Sequence, residues 1–100
     1  FSKGGGGAQL VAKLDSSIKA VVALYPFIDN PIVSDFDHNI PTLIISGQLD
    51  VIAPPAQHAD IFYDLIPNST KKLKYEFTFY FPNYYYPQKI TNWIFYQNLN

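Results

Sequence analysis

One hundred residues allow one small domain with a thin core. With 48% hydrophobic and 15% charged residues the chain is globular rather than disordered, and a formal net charge of −1 gives no electrostatic case for nucleic acid or an anionic membrane surface. The absence of cysteine excludes disulfides, thiolate chemistry and Cys-based zinc sites, and no apolar run approaches the ~18 residues needed to span a bilayer.

The chain opens on Phe1 with no charged n-region or apolar h-region, so no targeting segment is visible and the sequence reads as a fragment or a processed chain. Four consecutive glycines, Gly4 to Gly7, lead into Ala8–Leu14, whose composition favours a helix with Leu10, Val11 and Leu14 on one face. Asp15-Ser16-Ser17 ends that helix, and Ile18–Leu24 is an apolar, β-branched run expected to be a buried strand. Tyr25–Ile40, with two prolines, three aspartates and two asparagines, has no sustained period and reads as a loop of a length that is more often functional than incidental.

Thr42–Ile45 lies between Pro41 and Gly47 and has the pattern of a strand buried on both faces, as in a parallel sheet. Asp50 follows just past its carboxyl end, where open α/β sheets place their chemistry, and Pro54-Pro55 opens a helix predicted to run from Pro55 to Ile66. Lys71, Lys72 and Lys74 form the only basic cluster and read as a solvated face. Leu73–Phe81 alternates, with Tyr75, Phe77, Phe79 and Phe81 on one side, and is expected to be a third strand. Ile90, Trp93 and Ile94 mark a C-terminal helix. Eleven of the 17 aromatics fall between Tyr75 and Tyr96, and with no basic groove beside them they read as packing rather than a stacking platform.

Strands alternating with helices predict an α/β fold with a three-stranded parallel sheet of βαβ type and flanking helices. Phe1-Ser2-Lys3-Gly4-Gly5 has the last four positions of a G-x-S-x-G nucleophile elbow, where small residues let backbones approach and the N–H after the serine serves as an oxyanion donor. Serine followed by glycines is also ordinary linker, so this motif alone leaves both readings open. His38 precedes the central strand and lies at the wrong end for a site around Asp50, whereas His58 follows it and is either a base or a surface or capping residue. Two histidines this far apart make a poor metal site, and no cofactor is indicated.

Taken together, the motifs give a family. The chain resembles the polyester hydrolase and cutinase-like branch of the α/β-hydrolase superfamily, related to the dienelactone hydrolases. Phe1–Gly7 is similar to that family's H-S-M-G-G-G-G, Ala23–Phe27 to its strand leading to an aromatic after proline, and Pro41–Ala59 to P-T-L-I-I-G-A-x-x-D-x-I-A-P-x-x-x-H-A. The resemblance implies a nucleophile at Ser2, an oxyanion-hole position at Lys3 and an orienting acid at Asp50. It further implies substrate contacts at Phe27 and Ile52, and hydrolysis of a carboxylic ester through an acyl-enzyme.

The family pattern ends in G-x-x-H-F-x-P-N, and here Phe77–Asn83 puts Phe79 where the base should be and lacks the loop glycine. Loss of that imidazole implies a rate penalty on the order of 10^4 or more. The resemblance therefore implies that residues 1–100 are one partial domain equivalent to the C-terminal part of an α/β-hydrolase, with Ser2 and Asp50 surviving and activity impaired. The alternatives are a non-enzymatic remnant that binds an apolar ligand in the cleft of Phe27 and Ile52, or a fragment with no function of its own. An ester or apolar small molecule is the expected ligand, with neither nucleic acid nor membrane as partner. An extracellular location follows from the family, and the first strand is expected to expose an unpaired apolar edge open to self-association.

Overall fold

A computed structural model describes residues 1–28, 36–78, 88 and 90–94. Helix α1 (Lys3–Leu14) is followed by β1 (Val21–Leu24), β2 (Thr42–Gly47), a 3-10 turn at Pro55–Gln57, α2 (Ala59–Leu65) and β3 (Lys72–Phe77). Residues 90–94 are again helical. The described strands form one parallel sheet in the order β1-β2-β3, with Val21 opposite Thr42 and Thr42 opposite Lys72. The expected three-stranded parallel sheet with flanking helices is present.

All six residues of β2 are buried, as its position between two parallel neighbours demands. Alternate side chains leave the sheet on opposite faces. Ala23 and Ile44 pack with Phe36, Ala59 and Phe62, and with Leu10 of α1. Leu43 and Ile45 pack on the other face with Tyr25, Trp93, Tyr75 and Phe77. The alternation read from β3 holds within its described part: Tyr75 and Phe77 join that second cluster, while Lys72 and Lys74 lie over the ring of Tyr63. The last positions expected in this strand, Phe79 and Phe81, fall outside the described residues.

Three expectations are corrected. Helix α1 does not dock on Val11 and Leu14, which are exposed; Gly5, Gly6, Gln9 and Ala12 form its buried face. The reason is distance: a Cβ on Gly6 would lie 2.3 Å from the carbonyl oxygen of Phe27, and one on Gly5 would lie 3.0 Å from Pro26 Cα. The helix sits close to the loop after β1, and only glycine fits there. The first strand begins at Val21, not Ile18, because Asp15 draws Ser17 into a side-chain turn and the first ladder bond runs from Val21 N–H to the carbonyl of Pro41. The helix expected over Pro55–Ile66 breaks at His58, where φ is −134° and ψ −81°.

Among the described residues strand β1 pairs with β2 on one side only. Val21 and Tyr25 donate to β2-side carbonyls, so the N–H and carbonyl of Val22 point to the other edge. At the end of that edge the Leu24 carbonyl accepts the N–H of Ser2 at 2.8 Å.

Candidate active site

Ser2 stands at the junction of β1 and α1. It has φ 54° and ψ −123°, a region that non-glycine residues occupy only when their surroundings impose it, at a cost of about 1–3 kcal/mol. Four backbone bonds impose it here. Ser2 donates to the Leu24 carbonyl, and its own carbonyl accepts the N–H groups of Gly5, Gly6 and Phe27 at 2.9, 3.3 and 3.0 Å. Its side chain makes no capping bond to α1. Lys3 opens the helix, where N–H groups lack intrahelical acceptors and point toward the serine end. This backbone geometry is thus held by the end of β1 and by glycines that let α1 approach.

Asp50 follows the turn after β2. It is 4% exposed, and its Oδ1 accepts the N–H groups of Ile52 and Ala53, both at 2.9 Å. Its Oδ2 is buried and has no hydrogen-bond partner among the described residues. The carboxylate is therefore held by one oxygen, through two backbone N–H groups. Leu49, Val51 and Ile52 around it are exposed, so the acid is buried beneath an apolar rim.

Phe27 joins Ser2 to His58. Its N–H donates to Ser2, and its ring stacks on His58 with centroids 4.5 Å apart and planes 23° from parallel. His58 Nδ1 accepts the N–H of Ile28 at 2.9 Å. Burial lowers the His58 pKa from its usual value, and the Asp50 carboxylate partly offsets that. Because Nδ1 is occupied as an acceptor, the neutral ring carries its proton on Nε2, which leaves no lone pair for a general base. His58 is a clamp on the Phe27 segment. The break in the predicted helix has the same origin, since His58 leaves helical geometry where its ring meets Phe27 and Ile28.

Contacts link Ser2, Phe27 and His58 at the carboxyl end of the sheet, where Asp50 also follows β2 and Ile52 is exposed beside it. His38 does not join them. Its Nδ1 accepts the N–H of Ile40, and its Nε2 bonds Gln9 Oε1. It lines a groove of about 350 Å³ with Ala12, Lys13, Asp37, Ile40 and Leu65 at the amino end of the sheet. Among the described residues no three His, Asp or Glu side chains cluster to hold a metal, and no helix is long and apolar enough to cross a membrane. Phe79 lies outside the described residues.

Sequence reasoning missed the clamp role of His58 and the docking role of Gly5 and Gly6. The second had a signal, because positions 5, 6, 9 and 12 repeat with helical spacing and are the small or polar face. The first had none, since the bond from Ile28 joins residues thirty positions apart.

Comparison with known proteins adds a family. The model of a family described as PET hydrolase-like matches residues 1–89. Cutinase est1 of Thermobifida alba is 44% identical over 71 residues, covering 71% of this chain and 23% of that protein. Cutinase 1 of Thermobifida cellulosilytica is 40% identical over 92 residues, covering 89% and 34%. A bis(hydroxyethyl) terephthalate hydrolase of Streptomyces coelicolor is 39% identical over 71 residues, covering 71% and 22%. The chain thus spans between about a fifth and a third of the length of these relatives.

Proposed function

The chain belongs to the PET hydrolase-like family, and from that membership we propose that its site is that of a carboxylic ester hydrolase acting through an acyl-enzyme. Ser2 is the nucleophile, the Lys3 N–H is an oxyanion donor, and Asp50 is the acid that orients a base. Phe27 and Ile52 line the cleft for an apolar or aromatic acyl group. The observation that carries this reading is the backbone of Ser2: a serine at φ 54° between a strand end and a glycine-lined helix has the strained turn conformation that a nucleophile elbow requires.

In this chain the base is missing. Phe79 stands at the position of the family's histidine, and His58 cannot replace it while its Nδ1 accepts from Ile28. Turnover is therefore low, and it is limited by removal of the Ser2 proton. The test is hydrolysis of a short-chain chromogenic ester by the native chain, Ser2→Ala and Phe79→His. Phe79→His is expected to raise the Ser2-dependent rate by about 10^2-fold or more. Equal rates in all three would overturn the reading.

A second reading, binding without turnover, draws on the Phe27–His58 stack, which shapes the cleft whether or not a base is present. An extracellular location belongs to the same proposal and is checked by recovering the chain from the culture medium of its host. Self-association through the Val22 edge of β1 belongs to it too, and sedimentation over a range of concentrations tests it.

A further inference from the structure

The turn joining α2 to β3 carries a motif that the catalytic site does not use. Asn68-Ser69-Thr70 has an asparagine followed two positions on by a hydroxyl, with no proline between, and it is the one Asn-X-Ser/Thr triplet in the hundred residues. Thr70 N–H donates to the Pro67 carbonyl at 2.9 Å, so Asn68 and Ser69 are the two central residues of a tight turn, and both are exposed. The base of the turn is fixed. Ile66 is buried on one side, and on the other Lys72 Nζ donates to the carbonyls of Tyr63 and Ile66 at 2.9 and 2.8 Å.

We propose that Asn68 is the acceptor of an N-linked oligosaccharide. The proposal rests on the extracellular location given above, because the donor, an oligosaccharide on a lipid diphosphate, is met on the export route of a eukaryotic cell. Asn68 Nδ2 bonds to the anomeric carbon of the first sugar as the bond from that carbon to the diphosphate oxygen breaks. The lipid diphosphate leaves with the electron pair, and Nδ2 gives up one proton. The product is bulky and polar, which an exposed turn tolerates and a packed core does not.

The sheet separates this turn from the cleft. Strand β3 runs from Lys72 beside Thr42 to Phe77 beside Gly47, so the turn lies at the amino end of the sheet, whereas Asp50 lies beyond the carboxyl end. Six strand residues at ~3.3 Å each put about 20 Å between them. A glycan rooted on Asn68 therefore leaves the cleft of Phe27 and Ile52 open.

The test makes the whole chain in a yeast behind a secretion leader. Removal of the leader marks the molecules that have entered the secretory lumen, whether they are recovered from the medium or from membranes. Those molecules are expected to migrate as a heavier form. An amidase that cuts glycan from asparagine should restore the unmodified mobility without prior unfolding and leave aspartate in place of Asn68, read by peptide mass spectrometry. Asn68→Gln and Thr70→Ala are each expected to lose the heavier form, and Thr70→Ser to keep it. Thr70→Ala retains the N–H that closes the turn, so its loss of the glycan reports the hydroxyl and not the fold.

Leader-free chain without glycan overturns the proposal and leaves the extracellular reading standing. A glycan retained in Thr70→Ala, or carried by a residue other than Asn68, also overturns it. A glycan released only after unfolding overturns its placement on an exposed turn. A glycosylated chain that stays in the membranes upholds the acceptor site and fails only the extracellular reading.

Discussion

Each end of the sheet carries a histidine held in the same way, with Nδ1 accepting a backbone N–H, yet the two ends differ in what surrounds the ring. At the amino end His38 bonds Gln9, an exposed Lys13–Asp37 pair lies alongside, and the amide nitrogen of Gln9 is buried without a partner among the described residues. At the carboxyl end the buried atoms without a partner among the described residues include a carboxylate oxygen of Asp50 and the hydroxyl of Ser46, and both non-glycine residues with positive φ, Ser2 and Tyr25, are found there. Strain and an unsatisfied charge gather at one end. Histidine alone does not mark a site, whereas costs retained in the fold do.

The comparison breaks most severely if α1 cannot approach the carboxyl end. Gly6→Ala puts a methyl group 2.3 Å from the Phe27 carbonyl, which is backbone and cannot swing away. The variant is expected to lose about 3 kcal/mol or more in urea unfolding, and Ser2 loses its strained geometry with it. Gly7→Ala is the control. Its Cβ meets nothing within 4 Å, so alanine's helix propensity should raise stability by up to about 1 kcal/mol.

These two glycines also show how far the sequence could be read. Strand β2 was legible because an apolar β-branched run between Pro41 and Gly47 has few other solutions, and Asp50 was placed by its distance from that run. The face of α1 was not legible from hydrophobicity, which ranks Leu10, Val11 and Leu14 above glycine, whereas docking selected the positions without a Cβ. The break at His58 was hidden for a different reason: Pro55–Ile66 keeps a helical period throughout, and the interruption comes from a bond to a residue in another segment. In the same way Ser2 was legible as a motif but not as a conformation. The strain needs Leu24, Gly5, Gly6 and Phe27 together.

The strain at Ser2 is itself measurable. Its side chain makes no cap bond, so Ser2→Gly sacrifices no capping energy while removing the penalty at φ 54°. Set against glycine's greater freedom in the unfolded chain, the variant should be more stable by about 1 kcal/mol and inactive. Unchanged or reduced stability would mean that the four backbone bonds leave no residual strain at this residue.

The smallest effect sharpens the comparison by its sign. Burial lowers the pKa of both His58 and His38, with Asp50 and Asp37 respectively pulling each back toward its usual value. A histidine whose folded pKa is depressed binds fewer protons in the folded chain than in the unfolded chain. Its contribution to stability is complete above the unfolded value of about 6.5 and is lost as the pH falls from there through the lowered folded value. Unfolding midpoints should therefore decline on acidification through that window, and His58→Gln and His38→Gln should each flatten the decline. The two ends part in a second readout. Protonation of His58 removes the acceptor for the Ile28 N–H and frees the Phe27 ring, so amide exchange at Ile28 should quicken with acid before global unfolding. Protonation of His38 should quicken exchange at Ile40 by the same logic but leave Phe27 and Ser2 untouched. If acid loosened Ile28 and Ile40 only together, the two ends would be one cooperative unit, and the carboxyl end could not loosen without melting the fold.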